Sequence, residues 1–272
     1  MGLREDLLTC VALAAVEGLP PIARVFLPEP RPDPARDAEF GMLELADGSC
    51  GLYYAWLGES QRGMAARWTA NQLFGADPIG IAAGYLSDDE AERSLALAAI
   101  NAITAHVWRR AGVVAPVARS SFGLALTAGD RLGMVGYFPP LVRRAIAMGA
   151  EVTVIERKAH LLGRERKARI TLDLEALHEC NKVICSAATL INLSLSEILE
   201  HCGRATEIAL LGPTAGCFPE PLFARGITTI GGTRIIDSTL ALDRLRRGVK
   251  LGDAAVRFEL TPATAWTLAK PI

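Results

Sequence analysis

The stretch RLGMVGYFPP at residues 131–140, followed by EVTVIE at residues 151–156, decides the fold class. Arg131 to Val135 is a short apolar run of strand length. Gly136 permits a turn, Leu141 to Met148 has helical periodicity, and Glu151 to Ile155 is a second strand. Outward toward the C-terminus the alternation continues. Lys182 to Ser186, Glu207 to Leu211 and Ile227 to Ile230 read as strands, and Ser194 to His201 and Ser238 to Arg247 read as helices. Apolar, β-branched strands that alternate with helices form a parallel sheet covered on both faces, because right-handed crossovers place the helices there. Residues 116–272 are therefore expected to form a Rossmann-like α/β domain.

Upstream of residue 131 the period changes. Residues 3 to 17 read as a helix that Gly18, Pro20 and Pro21 terminate, since proline has no N–H for the helical ladder. Pro28 to Pro34 stays extended or looped. FGMLEL, the Asp47-Gly48 turn and CGLYYAWL give the alternation and turn chemistry of a β-hairpin. Ser60 to Tyr85 reads as loop with a short helical piece near Ala70. Ser87, with Asp88, Asp89 and Glu90 in the first turn, is the expected cap of a helix running to Arg110, with Leu95, Ala99, Ala102 and His106 on neighbouring faces. Residues 1–115 thus read as a small α+β domain, and Gly112 to Gly129, with Pro116 and a serine pair, as the linker.

The chain has 272 residues, half of them apolar and 22% charged, which is the composition of a globular protein with a sizeable core. A net charge of -1 supplies no basic excess to neutralise phosphates, so nucleic acid is not an expected partner. The charge divides unevenly, about -5 over residues 1–128 and +4 over 129–272, a mild asymmetry of the kind composition drift produces. Six cysteines without a CxxC pair fit a reducing, cytoplasmic setting. Leu7 to Val16 is apolar, but Glu5 and Asp6 stand where an export signal needs positive charge, and the run is too short for a bilayer. Neither export nor membrane is expected. A homodimer is the commonest soluble assembly and the default expectation here.

Chemistry is expected at the carboxyl edge of the sheet. The turn Gly133-Met-Val-Gly-Tyr-Phe-Pro139 follows a strand and opens a helix, and Glu156 lies 20 residues beyond Gly136. This is the layout in which glycines admit a phosphate and an acid binds ribose hydroxyls. The pattern is not G-x-G-x-x-G, however, and Tyr137 and Phe138 would crowd a pyrophosphate. A tight βα turn explains Gly136 equally. The loops Ala188-Thr189-Leu190-Ile191-Asn192, Leu211-Gly212-Pro213-Thr214-Ala215 and Gly231-Gly232-Thr233 follow later strands and emerge at the same edge. Each alone is explained by caps and turns, but together they point to a ligand site.

Metal-ligand spacing is poor. His106, His160, His178 and His201 form neither HExxH nor a two-histidine, one-carboxylate motif, and the densest clusters are His178-Glu179-Cys180 and His201-Cys202. Chelation through a bound organic ligand, or through oxygen donors such as Glu156 and Asp237, is the better expectation. No G-x-S-x-G elbow is present. Cys185 and Cys217 lie near strand ends, where a helix N-terminus lowers a thiol pKa, although burial makes such cysteines inert. Phe218, Tyr137 and Trp68 suit stacking on a flat ligand, or core packing.

Leu95 to Ala102, Gly136-Tyr137-Phe138-Pro139, Glu156-Arg157, Thr189 to Asn192, Gly212-Pro213-Thr214 and Gly231-Gly232 together resemble the heavy-metal chelation family, a domain of unknown function. The resemblance implies an enolase N-terminal-like domain followed by a Rossmann-like domain, with a site in the cleft between them. It implies a small-molecule ligand and a role in handling a heavy metal or a metal-chelating molecule, with a metal ion or metal chelate as the cofactor class. The ligand-binding set it suggests is Asn101 from the first domain with Gly136, Tyr137, Phe138, Pro139, Glu156, Thr189, Asn192, Gly212, Pro213, Thr214 and Gly231. Ala188 departs from the family's form, in which a small hydroxyl residue often precedes the threonine. The alternative is an enzyme that uses a nucleotide or S-adenosylmethionine-like cofactor at the same edge. A third reading makes the fold an assembly platform.

Overall fold

In the computed structural model, residues 2–29, 40–55, 57, 60–157, 161–162 and 167–265 are described. Residues 30–39, which include most of the expected proline-rich loop, Trp56 of the expected hairpin, and His160 lie outside them. The chain opens with α1 (Leu3–Ala15) and β1 (Ile22–Phe26). The expected hairpin is β2 (Phe40–Leu45) and β3 (Cys50–Tyr54). β1 pairs antiparallel with β2 to give a three-stranded sheet in the order β1-β2-β3. The sequence reading missed β1 because Arg24 interrupts its apolar run. The guanidinium is accommodated at the sheet, where its Nε donates to Glu44 at 2.5 Å.

Residues 60–85 carry α2 (Ser60–Arg67), α3 (Ala70–Leu73) and α4 (Pro78–Ala83); α3 is the short helical piece expected near Ala70, and α2 and α4 correct the reading of the rest as loop. Asp77 caps α4 and a reciprocal Thr69–Gln72 box caps α3, so short polar segments become helical through their ends. The long helix α5 (Glu90–Arg110) is capped by Asp89, which accepts from the Glu92 N–H, and not by Ser87. Ser87 instead accepts the Asp89 N–H. Glu90 and Glu92 at the start of α5, with Arg109 and Arg110 at its end, complement the helix dipole.

The C-terminal half supplies β4 (Arg131–Val135), α6 (Pro139–Ala147), β5 (Glu151–Ile155), β6 (Ala168–Thr171), β7 (Lys182–Ser186), α7 (Leu195–Glu200), β8 (Glu207–Leu211), α8 (Glu220–Phe223), β9 (Thr229–Ile235), α9 (Ser238–Arg246) and β10 (Ala255–Leu260). They form a seven-stranded sheet in the order β10-β9-β8-β7-β4-β5-β6. All its pairs are parallel except β9 with β10. The order reverses between β4 and β7. The strands missed from sequence, β6 and β10, are the two edges, where short length or exposed charge such as Arg257 weakens the apolar signal.

Strand alternation divides the large sheet's side chains between two apolar layers. Leu132, Met134, Val152, Val154, Ile184 and Ala209 pack with Val142 and Ala145 of α6 and with Phe122, Leu124 and Leu126 of the connecting segment. Val135, Ile155, Val183, Cys185, Ile208 and Leu210 face the opposite layer, which is continuous with α5, α1 and one face of the small sheet. Nearly every residue of α5 from Leu95 to Thr104 is therefore buried. Its alanines allow close approach: a Cβ on Gly51 of β3 would lie 2.0 Å from the Ala98 carbonyl oxygen. The other face of the small sheet, through Met42 and Leu52, is covered by Ala241, Leu242 and Leu245 of α9. The apolar core thus runs across residue 115, and the small sheet is clasped between α5 and α9 of the second half.

Candidate functional site

The loops at the carboxyl ends of β4, β5, β7 and β8 surround a cavity of about 890 Å³. Val135, Ile155, Ser186 and Leu211 form its floor, at the point where strand order reverses. That is where open α/β sheets bind ligands, because neighbouring loops diverge there. The facing wall comes from the small sheet: Phe40 and Tyr54, paired in register at the open end of the hairpin, with Leu57 and with Glu90 at the start of α5. The two rings meet edge to face with centroids 5.6 Å apart.

Nine of the residues proposed from sequence line this cavity: Gly136, Tyr137, Phe138, Glu156, Thr189, Asn192, Gly212, Pro213 and Thr214. Gly136 has φ +94°, which a residue with a Cβ rarely adopts. The Tyr137 N–H donates to Glu156 Oε2 at 3.0 Å, so the acid closes onto the turn. After β7, the Ser186 hydroxyl accepts the Ala188 N–H, and Thr189 donates back to the Ser186 carbonyl at 2.7 Å. The Asn192 side-chain Oδ1 accepts from the Ser194 N–H and hydroxyl. Between them Leu193 has φ +61°, the one left-handed residue other than glycine among the described residues, and it too lines the cavity. Such a conformation persists only where its surroundings enforce it.

Asn101, Pro139 and Gly231 are not in the lining. Asn101 is buried in α5, where its amide donates to the carbonyls of Leu52 at 2.8 Å and Thr214 at 2.9 Å. It ties β3 to the loop after β8, behind the cavity wall. Pro139 is the first residue of α6, and Gly231 lies within β9, where a Cβ would approach Leu211 Cδ2 to 2.6 Å. Asp237, considered as an oxygen donor, instead caps α9 through the Leu240 N–H. The sequence reading missed Phe40, Tyr54, Glu90, Arg157, Ser186 and Glu197 in the lining. Glu90 and the hairpin end carry no local motif; only the three-dimensional meeting of the two sheets marks them.

Burial pushes the Cys217 thiol up to about 12, and the Cys185 thiol upward as well, so neither is an activated nucleophile. Phe218 is core, and Trp68 lies under the Arg67 guanidinium away from the cavity. His106, on α5, pairs with the hairpin turn, its Nδ1 2.9 Å from Asp47. The separate His178 and His201 stretches do meet, and Glu175 joins them, an encounter that sequence spacing did not reveal. No helix among the described residues is long and apolar enough to cross a membrane.

Fold and cavity together define a mixed α/β protein with a ligand-sized cleft between a small antiparallel sheet and the carboxyl edge of a mainly parallel one. The chain belongs to the DUF364 family, described as "Putative heavy-metal chelation", whose match covers residues 120–260. An uncharacterized protein of Methanocaldococcus jannaschii is 31% identical over 159 residues, 57% of this chain and 60% of that protein. The match thus spans three-fifths of that relative's length. Two crystal structures of DUF364 proteins of unknown function share the fold. The Pyrococcus horikoshii protein has a TM-score of 0.66 at 20% identity, covering 95% of this chain and 98% of that one. The Desulfitobacterium hafniense protein has a TM-score of 0.65 at 21% identity, covering 96% and 98%.

Proposed function

We propose that the protein binds a small organic ligand that carries a divalent metal ion or another cationic group, seated in the cleft between the two sheets. The observation that carries this is the character of the lining among the described residues: Glu90, Glu156 and Glu197 with Arg157, between the aromatic side chains of Phe40, Tyr54, Tyr137 and Phe138. Carboxylates and hydroxyls are hard oxygen donors suited to a cation, and aromatic walls suit a planar organic frame. The family's description as heavy-metal chelation supports the same reading.

A second reading, an enzyme with a nucleotide or S-adenosylmethionine-like cofactor, is favoured by the cavity's place at the reversal of strand order. The local chemistry favours the cationic cofactor over a pyrophosphate. Pro139 and Pro140 open α6 without N–H donors, and Glu156 already accepts the Tyr137 N–H. Native mass spectrometry of protein purified without chelators, with metal analysis of the released small molecule, tests the proposal. A retained organic species with stoichiometric metal supports it. A metal-free nucleoside-containing species moves the second reading to first place, and a phosphate-rich cofactor contradicts the charge argument for both.

A further inference from the structure

Outside the cleft, Glu175, His178 and His201 aim their donor atoms at one point. His178 Nε2 lies 3.3 Å from His201 Nδ1 and 3.3 Å from Glu175 Oε2, and His201 Nδ1 lies 3.4 Å from Glu175 Oε1. We infer that these three side chains form a binding site for one borderline divalent transition-metal ion of the zinc class.

The two imidazole nitrogens are spaced as adjacent donors of a coordination shell are, with one Glu175 oxygen beside each. Around a tetrahedral ion with bonds of about 2.0–2.1 Å, adjacent donors stand about 3.3–3.4 Å apart, whereas adjacent octahedral positions are closer, roughly 2.8–3.0 Å. The backbone that presents the donors is fixed. Glu175 and His178 lie three residues apart on a 3-10 helical segment, Leu174–Glu179, in which side chains at that spacing eclipse one another. Asp173 caps that segment by accepting the Glu175 N–H, and Ala176 and Leu177 anchor its inner side in the core. His201 ends α7, held between buried Ile198 and buried Cys202.

Two imidazole nitrogens and a carboxylate brought within 3.3–3.4 Å of one another suit a shared metal ion. Two nitrogens and an oxygen favour zinc, copper(II), nickel or cobalt over magnesium and calcium, which prefer all-oxygen shells, and over soft ions that prefer thiolates. The neighbouring thiols do not take part. Cys180 and Cys202 are buried, and their sulfurs lie against the Ala176 and Ile198 carbonyls. Three protein donors leave a fourth position, which opens to solvent because Glu175 and His178 are exposed. Water or a small exchangeable ligand would fill it, the arrangement of an open rather than a structural zinc site. None of the three residues lines the cleft, so this site stands independently of the cleft's ligand.

The test is a Zn²⁺ titration of the full chain, stripped of metal and free of any affinity tag, against a competing chromophoric chelator, with Co²⁺ absorption as a second readout. The expected result is one Zn²⁺ per chain and the intense visible bands of tetrahedral Co²⁺. His178→Ala and His201→Ala should each weaken Zn²⁺ at least about tenfold, since even outer-shell changes cost that much, and should abolish the Co²⁺ bands. Glu175→Gln, nearly isosteric and exposed, should weaken binding in a variant whose circular dichroism matches wild type. Absence of stoichiometric Zn²⁺, binding that survives both histidine substitutions, or thiolate charge-transfer bands with Co²⁺ would each overturn the assignment.

Discussion

Asn101 is a buried side chain that joins the two halves, and replacing it should expose how they are held. Its Nδ2 donates both hydrogens to buried carbonyls, Leu52 O on β3 and Thr214 O beside the cavity. Asn101→Ala leaves both carbonyls without that donor, at about 1–3 kcal/mol each. Asn101 Oδ1 is itself buried without a hydrogen-bond partner among the described residues, so removing it returns a similar single contribution. The net destabilisation should be about 2 kcal/mol, with a Tm lower by about 4–8 °C for a chain of this size. Asn101→Asp should cost more, because its carboxylate would face two carbonyl oxygens with no hydrogen to give. Urea unfolding with matched m-values measures both. A loss under about 0.5 kcal/mol, or a full loss of ligand at unchanged stability, would refute the structural role and return Asn101 to the ligand's surroundings.

Gly51→Ala should destabilise by about 3 kcal/mol or prevent folding, since the new Cβ would meet the Ala98 carbonyl oxygen at 2.0 Å and the Ala102 nitrogen at 2.6 Å, both backbone atoms; soluble yield and urea unfolding report it. Asp130 is pushed upward by burial, but Asn181, the Thr127 N–H and hydroxyl, and Lys182 together hold it down at about 2. That stabilisation is complete above the ordinary carboxylate range and disappears as pH falls through about 2, so wild type should lose stability between about pH 4 and 2, with a shallower loss in Asp130→Asn. Ellman's reagent should leave Cys180, Cys185, Cys202 and Cys217 untouched in the native protein and react with all six cysteines in denaturant; fast native reaction of any of those four would contradict their burial. Leu193→Gly should relieve the left-handed strain at φ +61° and leave stability within about 1 kcal/mol of wild type, while weakening retention of the cleft ligand in native mass spectrometry.

The legible part of the fold is the part dictated by burial on both faces. β4, β5, β7 and β8 end where the sequence reading ended them, because the inner residues of a central parallel strand form a mostly apolar run that stands out from its flanks. β1, β6 and β10 were not read. Each borders its sheet, and residues such as Arg24 and Arg257 break the apolar run. Of the helices at 60–83 only α3 was expected; α2 and α4 escaped because packing against α5, with the Asp77 cap on α4, rather than propensity, stabilises them. For the cavity, loops after parallel strands share one edge by topology, so Gly136, Glu156, Thr189 and Gly212 could be grouped before any coordinates. Phe40, Tyr54 and Glu90 could not, since only the docking of the small sheet brings them there. The Glu175–His178 spacing was visible, but His201 comes from another element, and no one-dimensional pattern links them.

The central claim is that the ligand occupies the cleft between the two sheets. Ala188 is half-buried in the cavity wall, and Ala188→Trp would fill the space without touching the Glu175, His178 and His201 cluster. The direct measurement is native mass spectrometry of this variant beside wild type, both purified without chelators. The account predicts a small-molecule mass retained by wild type and absent from a folded Ala188→Trp. An equal retained mass in both proteins would contradict it and place the ligand elsewhere on the molecule.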